Sequence, residues 1–410
     1  MQELFGAEFF AGNRARLREL FTGKAPIVVT ANGLLQRGGD SGYAFAQDAN
    51  FWYLTGVEEP DVILVIDRDN EYLIVPDRNA VQEVFDGVIE TSVLSRRSGI
   101  QKIYDQKTGW NKLSGRLKKV KHIATVAPAP AYIEQIGMYV NPARANLIQM
   151  LKAYNQDLEL LDLSPHLSRQ RMIKQPAEIV AIQKAIDITI SSLKESLKPS
   201  KMKTYSHEYQ IEAEITRGFR KRGADGQAFE PIVASGERAC VLHNLANNAP
   251  LTKNNLVVVD VGAQYQHYAS DISRTVIYGN SSRRQQSVVA AVIEAQSFAI
   301  SLLKPGVMLK DYEHQVVMFV GEKLRELGLI KTITEESVRE FYPHATSHFV
   351  GLNVHDVGDY NRPLEQGIVL TVEPGIYIKA EAIGVRIEDD VLITPNGNKV
   401  LSNKLSRELR

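Results

Sequence analysis

Acidic residues that interrupt buried-strand patterns constrain this chain most. The stretch VVVDVGAQYQHYASDISRT follows Leu256 with an apolar run, and Asp260 breaks that run. A second acid, Asp271, follows after a polar turn. Burial of an unpaired carboxylate is costly, and two neighbouring carboxylates repel each other. The fold therefore has to supply something that compensates two buried negative charges.

The positions of the two acids predict that they share one face of a hairpin. In an antiparallel hairpin with an even-numbered loop centred between Tyr265 and Gln266, Asp260 lies directly opposite Asp271. Opposed residues have Cβ atoms about 5 Å apart, and like charges at that distance destabilise the pair. A cation between the carboxylates removes the repulsion. The alternative is a plain turn, in which Asp271 only caps a strand end.

Three more segments of the C-terminal half carry groups of the same kind. YPHATSHFVGLNVHDVG holds His344, His348 and His355 within twelve positions. The β-branched runs IVLTVEPGIYI and GVRIEDDVLIT are interrupted by Glu373 and Glu388. Carboxylates with imidazole suit Mn²⁺, Co²⁺, Fe²⁺ or Zn²⁺. Four carboxylates balance two such ions, which predicts a two-metal site with a bridging water or hydroxide. Separate salt bridges for each acid are the alternative.

Composition argues against several kinds of partner. Basic and acidic side chains number 48 each among 410 residues, so no global field favours nucleic acid or an anionic membrane. The apolar stretches fall well short of the ~18 residues that span a bilayer, and the N-terminus lacks a signal-peptide pattern. The single cysteine, Cys240, is compatible with a reducing compartment. We expect a cytoplasmic protein that binds neither nucleic acid nor membranes.

The N-terminal part is predicted to be an α/β domain with a mixed sheet. Helical patterns occupy residues 79–85 and 142–155, between and after short apolar runs. The runs predict strands at residues 26–30, 62–66, 72–75 and 122–126. The polar segment 163–176 carries two prolines, and a long helix follows it from Pro176. We therefore place the domains at residues 1–168 and 169–410.

The acidic and histidine motifs resemble those of the pita-bread metallopeptidases, the family of methionine aminopeptidase, prolidase and aminopeptidase P. The ligand order of that family is Asp, Asp, His, Glu, Glu, and it matches Asp260, Asp271, His348, Glu373 and Glu388. FAQDANFWYLTGVEEPDVILVI resembles the N-terminal domain of aminopeptidase P and prolidase. The resemblance implies an α/β N-terminal domain and an α+β pita-bread catalytic domain with two divalent ions, for which we expect Mn²⁺.

The resemblance also implies a role for each candidate residue. Asp271 and Glu388 would bridge the two ions, Asp260 would complete one ion, and His348 with Glu373 would complete the other. Glu373 would also serve as general base on the bridging water.

Other residues are expected on the substrate side of the site. By the resemblance, His243 and His355 match substrate-side histidines, and His355 would hold the scissile carbonyl and its developing oxyanion. Further substrate-binding residues are expected at His344, Arg386 and Tyr377.

The activity implied by the resemblance is hydrolysis of the N-terminal Xaa-Pro bond of peptides with proline at the second position. Ser347 before the ligand histidine and the motif VHDVG favour this activity over that of prolidase, which cleaves Xaa-Pro dipeptides. A non-catalytic peptide-binding domain is the second alternative, and the complete ligand set disfavours it. Relatives imply a homo-oligomer, a dimer or a tetramer. Ala46 and Asn353 depart from the family motifs without affecting a ligand.

Overall fold

Two units, Met1–Gln170 and Arg171–Arg410, divide the chain in the computed structural model. The structure describes residues 4–68, 70–128, 133 and 136–408. The segment that we place at the domain boundary is largely helical, since Ser164–Met172 form a helix with Leu167 fully buried. Pro165 lies in its first turn, where a missing N–H costs no hydrogen bond. No helix among the described residues is long and apolar enough to cross a membrane.

A mixed sheet forms the centre of the first unit. Its strands, with one separate hairpin, are β1 (Ile27–Thr30), β2 (Gln36–Gly38), β3 (Ser41–Gly42), β4 (Ile63–Asp67), β5 (Asn70–Ile74), β6 (Ile103–Tyr104), β7 (His122–Thr125) and β8 (Glu159–Asp162). The order in the six-stranded sheet is β6-β5-β4-β1-β7-β8, while β2 pairs with β3. β1 runs antiparallel to β4 and parallel to β7. The four strands predicted from the sequence are confirmed.

The first unit also contains seven helices among its described residues, of which Gln106–Leu117 and Ala143–Tyr154 pack on the sheet. They are Ala7–Leu20, Ala49–Thr55, Ala80–Asp86, Thr91–Ser98, Gln106–Leu117 and Ala143–Tyr154, followed by Ser164–Met172. Trp110 and Leu147, from two of these helices, lie in one apolar cluster with Val28 and Val65 of the sheet. Because helices pack on the sheet, its strands are continuous apolar runs rather than alternating patterns. The predicted α/β character of this unit is confirmed.

The second unit contains several small antiparallel sheets. The strands are β9 (Gly226–Gln227), β10 (Ile232–Ser235), β11 (Asn255–Val261), β12 (Ala263–Tyr265), β13 (Tyr268–Ala269), β14 (Ile272–Tyr278), β15 (Val369–Val372), β16 (Gly375–Ile378), β17 (Ile383–Arg386), β18 (Asp389–Thr394) and β19 (Gly397–Val400). They form the sheets β10-β11-β14, β13-β12-β9, β15-β18-β19 and β16-β17.

Helices flank these sheets. They are Pro176–Ser196, Pro199–Met202, Glu208–Lys221, Arg283–Leu302, Leu309–Glu326 and Glu335–Arg339, with 3-10 turns at Gly236–Cys240 and Lys379–Glu381. The helix predicted from Pro176 is confirmed, and Ile182 and Ile186 of its apolar stripe are fully buried. Phe298 and Phe319, both half-buried, stack between the two long helices with ring centroids 4.3 Å apart. Buried residues of the same helices, such as Val292 and Val316, share an apolar cluster with β15 and β18 residues.

The hairpin that carries the first two acids differs in register from our prediction. β11 pairs antiparallel with β14 so that Asp260 lies opposite Ser273, and the prediction that it opposes Asp271 is wrong by two positions. The turn is centred one residue later than expected, at Gln266 and His267, which both have positive φ. Two-residue hairpin turns require positive φ at both residues, but glutamine and histidine are not residue types that usually indicate such turns. An even shift keeps both acids on one face.

The close approach of Gly262 to Ser270 holds the two halves of this hairpin together. A Cβ at residue 262 would lie 1.7 Å from the backbone oxygen of Ser270, which cannot move without displacing the chain next to Asp271. Glycine is therefore required here by packing. The hairpin geometry, and with it the separation of the two acids, depends on this contact.

We predict that Gly262→Ala lowers the free energy of unfolding by about 1–3 kcal/mol, because the added methyl group overpacks the hairpin. Urea denaturation followed by circular dichroism measures the change. Gly226→Ala is the matched control, since a Cβ there meets no atom within 4 Å, and its effect should stay within about 0.5 kcal/mol. Equal stability of the two variants would show that the contact does not constrain the hairpin.

Candidate metal centre

The candidate ligands come from the ends of four strands. Asp260 lies near the end of β11, and Asp271 directly precedes β14. Glu373 follows β15, and Glu388 lies between β17 and β18. At a strand end, the adjoining strand fixes the backbone of the residue, and the carboxylate at the tip of its side chain remains available to bind an ion. His348 is fixed beside them, because its backbone N–H donates to Thr371 Oγ1 of β15 at 3.1 Å.

Three of the five predicted ligands converge closely. Asp271, His348 and Glu388 each offer a ligand atom within 4.8 Å of the others. His348 Nε2 lies 3.5 Å from Asp271 Oδ2 and 3.3 Å from Glu373 Oε1, which adds the fourth residue. Asp260 is the fifth, and its charge raises the pKa of Asp271, after the larger effect of burial. The structure therefore brings all five predicted ligands together.

The orientation of the His348 ring suits metal binding. Its Nδ1 lies 3.2 Å from the backbone oxygen of Phe349. A carbonyl oxygen only accepts hydrogen bonds, so Nδ1 carries a proton and Nε2 is the ring atom that faces the two carboxylates. That arrangement is repulsive unless a cation or a proton lies between the groups. Nε2 is thus positioned as a ligand, with its tautomer set by the backbone.

Three carboxylate oxygens of the candidate ligands are buried and have no hydrogen-bond partner among the described residues. They are Oδ1 of Asp260, Oδ1 of Asp271 and Oε1 of Glu388. The other oxygen is fixed in two cases, since Arg386 Nη2 donates to Asp260 Oδ2 at 2.6 Å and Ser273 Oγ donates to Glu388 Oε2 at 2.7 Å. Buried oxygens that lack donors are costly without a compensating charge. These residues therefore fit one or more divalent cations.

The pKa values of the acids report the same crowding. Burial, followed by the charges of neighbouring acids, raises the pKa of both Asp271 and Glu388 well above the usual range. Burial also raises the pKa of Glu373 to about 7, although His348 and Arg386 act in the opposite direction. In the metal-free protein, these carboxyl groups are therefore reluctant to ionise together. Bound cations would reverse that preference.

Arg386 supplies a fixed positive charge next to the centre. Its side chain is 4% exposed, and besides Asp260 it donates to Ser273 Oγ and to the Tyr377 hydroxyl, each at 3.0 Å. The sequence places Arg386 among substrate-binding residues. In the structure its guanidinium group donates to other protein groups. Arg386 thereby orients the candidate ligand Asp260 and offsets its negative charge.

His344 and Tyr377 continue this chain of hydrogen bonds. The Tyr377 hydroxyl, which accepts from Arg386, lies 2.9 Å from His344 Nε2. His344 Nδ1 donates to the backbone oxygen of Ala345 at 2.9 Å. Burial, with the nearby charge of Arg386, lowers the pKa of His344 to about 4, so the ring is neutral. Both ring nitrogens are engaged, and the buried Tyr377 contributes its hydroxyl here rather than an open aromatic wall.

The two predicted substrate-side histidines are exposed on loops. His355 packs edge-on against His348, with ring centroids 4.3 Å apart. Desolvation by its surroundings, together with His348 and His243, lowers the pKa of His355 to about 4. His243 follows the 3-10 turn Gly236–Cys240. A neutral imidazole carries one N–H and one lone pair, so His355 can donate a hydrogen bond to a bound carbonyl oxygen at neutral pH.

Sequence reasoning missed the residues that support the ligands. Asp390 is fully buried and accepts the backbone N–H of Asp271 at 3.0 Å. Its position two residues after Glu388 predicts a shared strand face, so this signal was available in the sequence. The hydroxyls of Ser273 and Thr371, which hold Glu388 and His348, carry no such signal. Serine and threonine are too common in strands to mark a site.

Family models match most of the chain. The model described as metallopeptidase family M24 matches residues 180–395. The model described as aminopeptidase P, N-terminal domain, matches residues 10–124. All five candidate ligands lie inside the first of these ranges.

Relatives match this chain over nearly its whole length. A protein named Xaa-Pro aminopeptidase from Haemophilus influenzae is 32% identical, over 98% of this chain and 95% of its own. Xaa-Pro aminopeptidase 3 from Homo sapiens is 31% identical, over 93% of this chain and 79% of its own. The solved structure of aminopeptidase P from Escherichia coli matches with a TM-score of 0.84 and 28% identity, covering 98% of this chain and 96% of that one.

We predict that the metal-free protein loses stability as the pH rises from about 7.5 to 9. In this window the lowered pKa values of His344 and His355 no longer matter, because histidines with the ordinary pKa of about 6.5 are largely neutral in the unfolded chain as well. The folded acids with raised pKa values, Glu373 among them, still bind protons that the unfolded chain has lost. The free energy of unfolding therefore falls with pH. Thermal unfolding of the chelated protein in a pH series measures this effect.

Divalent metal should oppose that loss, since cations bind the deprotonated ligands. The increase in melting temperature on addition of Mn²⁺ should be larger at pH 8 than at pH 6. A chelated protein whose stability climbs through this window, or a Mn²⁺ effect that does not change with pH, would contradict the arrangement.

We further predict that Glu388→Gln stabilises the metal-free protein by at least ~1 kcal/mol at pH 8, because it removes one charge from a repelling cluster while keeping the side-chain shape. The same change should abolish most of the stabilisation by Mn²⁺. Glu381→Gln is the control, since that exposed acid pairs with Arg284 at 2.8 Å and should matter by less than about 0.5 kcal/mol. A destabilised Glu388→Gln protein that still responds fully to Mn²⁺ would refute the assignment.

Proposed function

Because the chain belongs to metallopeptidase family M24, we propose that it is an Xaa-Pro aminopeptidase, which removes the first residue of a peptide whose second residue is proline. The predicted fold class, an α/β N-terminal domain followed by a pita-bread catalytic domain, is confirmed by the same matches. The observation that supports the activity is a complete set of candidate ligands, with unpartnered buried oxygens, in a chain whose full-length relatives carry that name.

In this proposal five residues hold two divalent ions, for which we expect Mn²⁺: Asp260, Asp271, His348, Glu373 and Glu388. When bound, such ions lower the pKa of a water molecule and polarise the scissile carbonyl group. Asp271 and Glu388 would lie between the two ions. Arg386 keeps Asp260 in place by its ion pair, and Ser273 does the same for Glu388 by its hydrogen bond.

The remaining chemistry belongs to protein side chains near the ligands. Glu373 takes the proton of the attacking water and returns it to the leaving nitrogen, as a general base and then a general acid. His355 and His243 donate N–H groups to the carbonyl oxygen of the substrate, on which negative charge develops. A neutral ring leaves its second nitrogen available for another contact. An Xaa-Pro bond lacks an amide N–H, so recognition has to use the carbonyl oxygen and the proline ring.

Further parts of the proposal concern the whole protein. We expect a dimer or a tetramer, as predicted from the resemblance, with peptides as the ligands. We also place the enzyme in the cytoplasm, for which the single cysteine is the supporting feature.

Prolidase activity is the second candidate function. It would confine cleavage to Xaa-Pro dipeptides, while an aminopeptidase also accepts longer peptides. Ser347 favours the aminopeptidase by resemblance, and in this protein its hydroxyl lies 3.0 Å from the Tyr312 hydroxyl, one residue before a candidate ligand. A non-catalytic peptide-binding protein would not need the full ligand set.

We predict that the protein releases the N-terminal alanine of the tripeptide Ala-Pro-Ala and that chelation removes this activity. Added Mn²⁺ should restore turnover, and Ala-Ala-Ala, the matched control, should be cleaved at least ~100-fold more slowly, because an enzyme specific for Xaa-Pro bonds has to recognise the proline ring. Mass spectrometry of the products measures both rates.

Turnover of Ala-Pro alone, with no cleavage of the tripeptide, would replace the first candidate by prolidase. Binding of Ala-Pro-Ala without any metal-dependent cleavage would instead favour the non-catalytic module.

A further inference from the structure

A second cluster of buried charges lies in the catalytic unit, outside the candidate metal centre. It contains two cations, Arg171 and Lys174, and two acids, Glu178 and Asp356, and none of the four residues is more than 7% exposed. The formal charges cancel. Arg171 Nη2 forms an ion pair with Asp356 Oδ1, and Lys174 Nζ lies 3.3 Å from Asp356 Oδ2. Each oxygen of one carboxylate is thus engaged by a different cation.

The cluster has a rigid base. Glu178 belongs to the helix Pro176–Ser196 and accepts the Tyr268 hydroxyl and the Gln175 backbone N–H, each at 2.9 Å. The backbone N–H of Lys174 donates to the oxygen of Gly367 at 2.9 Å. Lys174 therefore lies on a fixed segment just before the long helix, and Arg171 lies in the preceding helix Ser164–Met172.

Asp356 is the residue next to His355, and this adjacency connects the cluster to the candidate site. The loop of residues 351–356 contains neither helix nor strand, and its His355 side chain is exposed. The backbone of the loop is held near its ends, where Gly351 oxygen accepts from Ala269 N–H and Asp356 N–H donates to Phe349 oxygen, both at 2.8 Å. Beyond these bonds, the Asp356 carboxylate is the group that ties the loop to the helix start.

Gly351 provides an independent sign that the position of this carboxylate matters. A Cβ at residue 351 would lie 2.1 Å from Asp356 Oδ2 and 3.1 Å from Lys174 Cε. Glycine is therefore needed at residue 351, because a side chain there would collide with the buried ion pair. Stability alone does not account for such a pair, since apolar replacements of buried ion pairs are often neutral or stabilising. Conformational specificity does account for it.

We propose that Arg171 and Lys174 are positioning residues, which act through Asp356 to fix His355 beside His348. The inference rests on the proposed function in that His355 binds the substrate carbonyl. Without the ion pairs of Asp356, the His355 imidazole would keep its hydrogen-bonding groups but would no longer be held in position at the reacting bond. A displacement of about 1 Å at such a group can cost on the order of 100-fold in rate.

The test is a double-mutant cycle between Asp356→Glu and His355→Ala. Asp356→Glu keeps the charge but lengthens the side chain by one methylene, and Asp359→Glu, an exposed acid three residues later, is the matched control. We expect Asp356→Glu to lower kcat for Ala-Pro-Ala about 10- to 100-fold, with bound Mn²⁺ nearly unchanged. In the His355→Ala background the same change should lower kcat less than about 2-fold, because coupled residues are not additive.

Equal losses in both backgrounds, or an equal loss in Asp359→Glu, would overturn the proposal. If Asp356→Glu does not fold, Gly351→Ala displaces the same carboxylate and enters the same cycle. A readout without substrate separates this proposal from the proposed function. In protein with ¹³C-labelled histidine, the ring signal of His355, assigned by its loss in His355→Ala, should shift in Asp356→Glu and not in Asp359→Glu. An unshifted signal overturns the positioning role, whereas an inactive wild-type protein overturns only the proposed function.

Discussion

Repulsion between buried carboxylates is the interaction on which the second unit, Arg171–Arg410, depends. Four strand ends deliver acids to one position, where burial and mutual charge raise the pKa of Asp271 and Glu388. Such a cluster opposes folding of the metal-free chain. It persists because surrounding groups fix one oxygen of Asp260 and of Glu388 and leave the other open. The fold thus maintains a site whose charge is completed only by cations.

A second principle is the division between ligands and the groups that orient them. Thr371 holds the backbone of His348, and Phe349 oxygen sets its ring tautomer. Arg386 joins Asp260 to Tyr377 and His344 in a continuous hydrogen-bonded chain. The buried ion pairs of Asp356 likewise tie down the end of the loop of residues 351–356. Polar groups outside the candidate ligand set thus orient the ligands.

The sequence predicts those features that follow from a pattern of a few neighbouring residues. Acids inside β-branched runs signal a site, and apolar runs signal the strands of the first unit, because both follow from burial over a few residues. The hairpin register was missed by two positions, since Gln266 and His267 do not belong to the residue types that mark two-residue turns. The shared face was still predicted correctly, because the error was an even number of residues. Contacts such as Lys174 with Asp356, 182 positions apart, follow from tertiary packing, and no local pattern announces them.

We propose that five side chains, from four strand ends and one loop, form a single two-metal site. Anomalous diffraction at the manganese edge, from crystals grown with Mn²⁺, tests it most directly. We expect two peaks, with Asp271 and Glu388 between them and Asp260 and His348 on opposite sides. A single peak, or peaks bound by other residues, would contradict the claim.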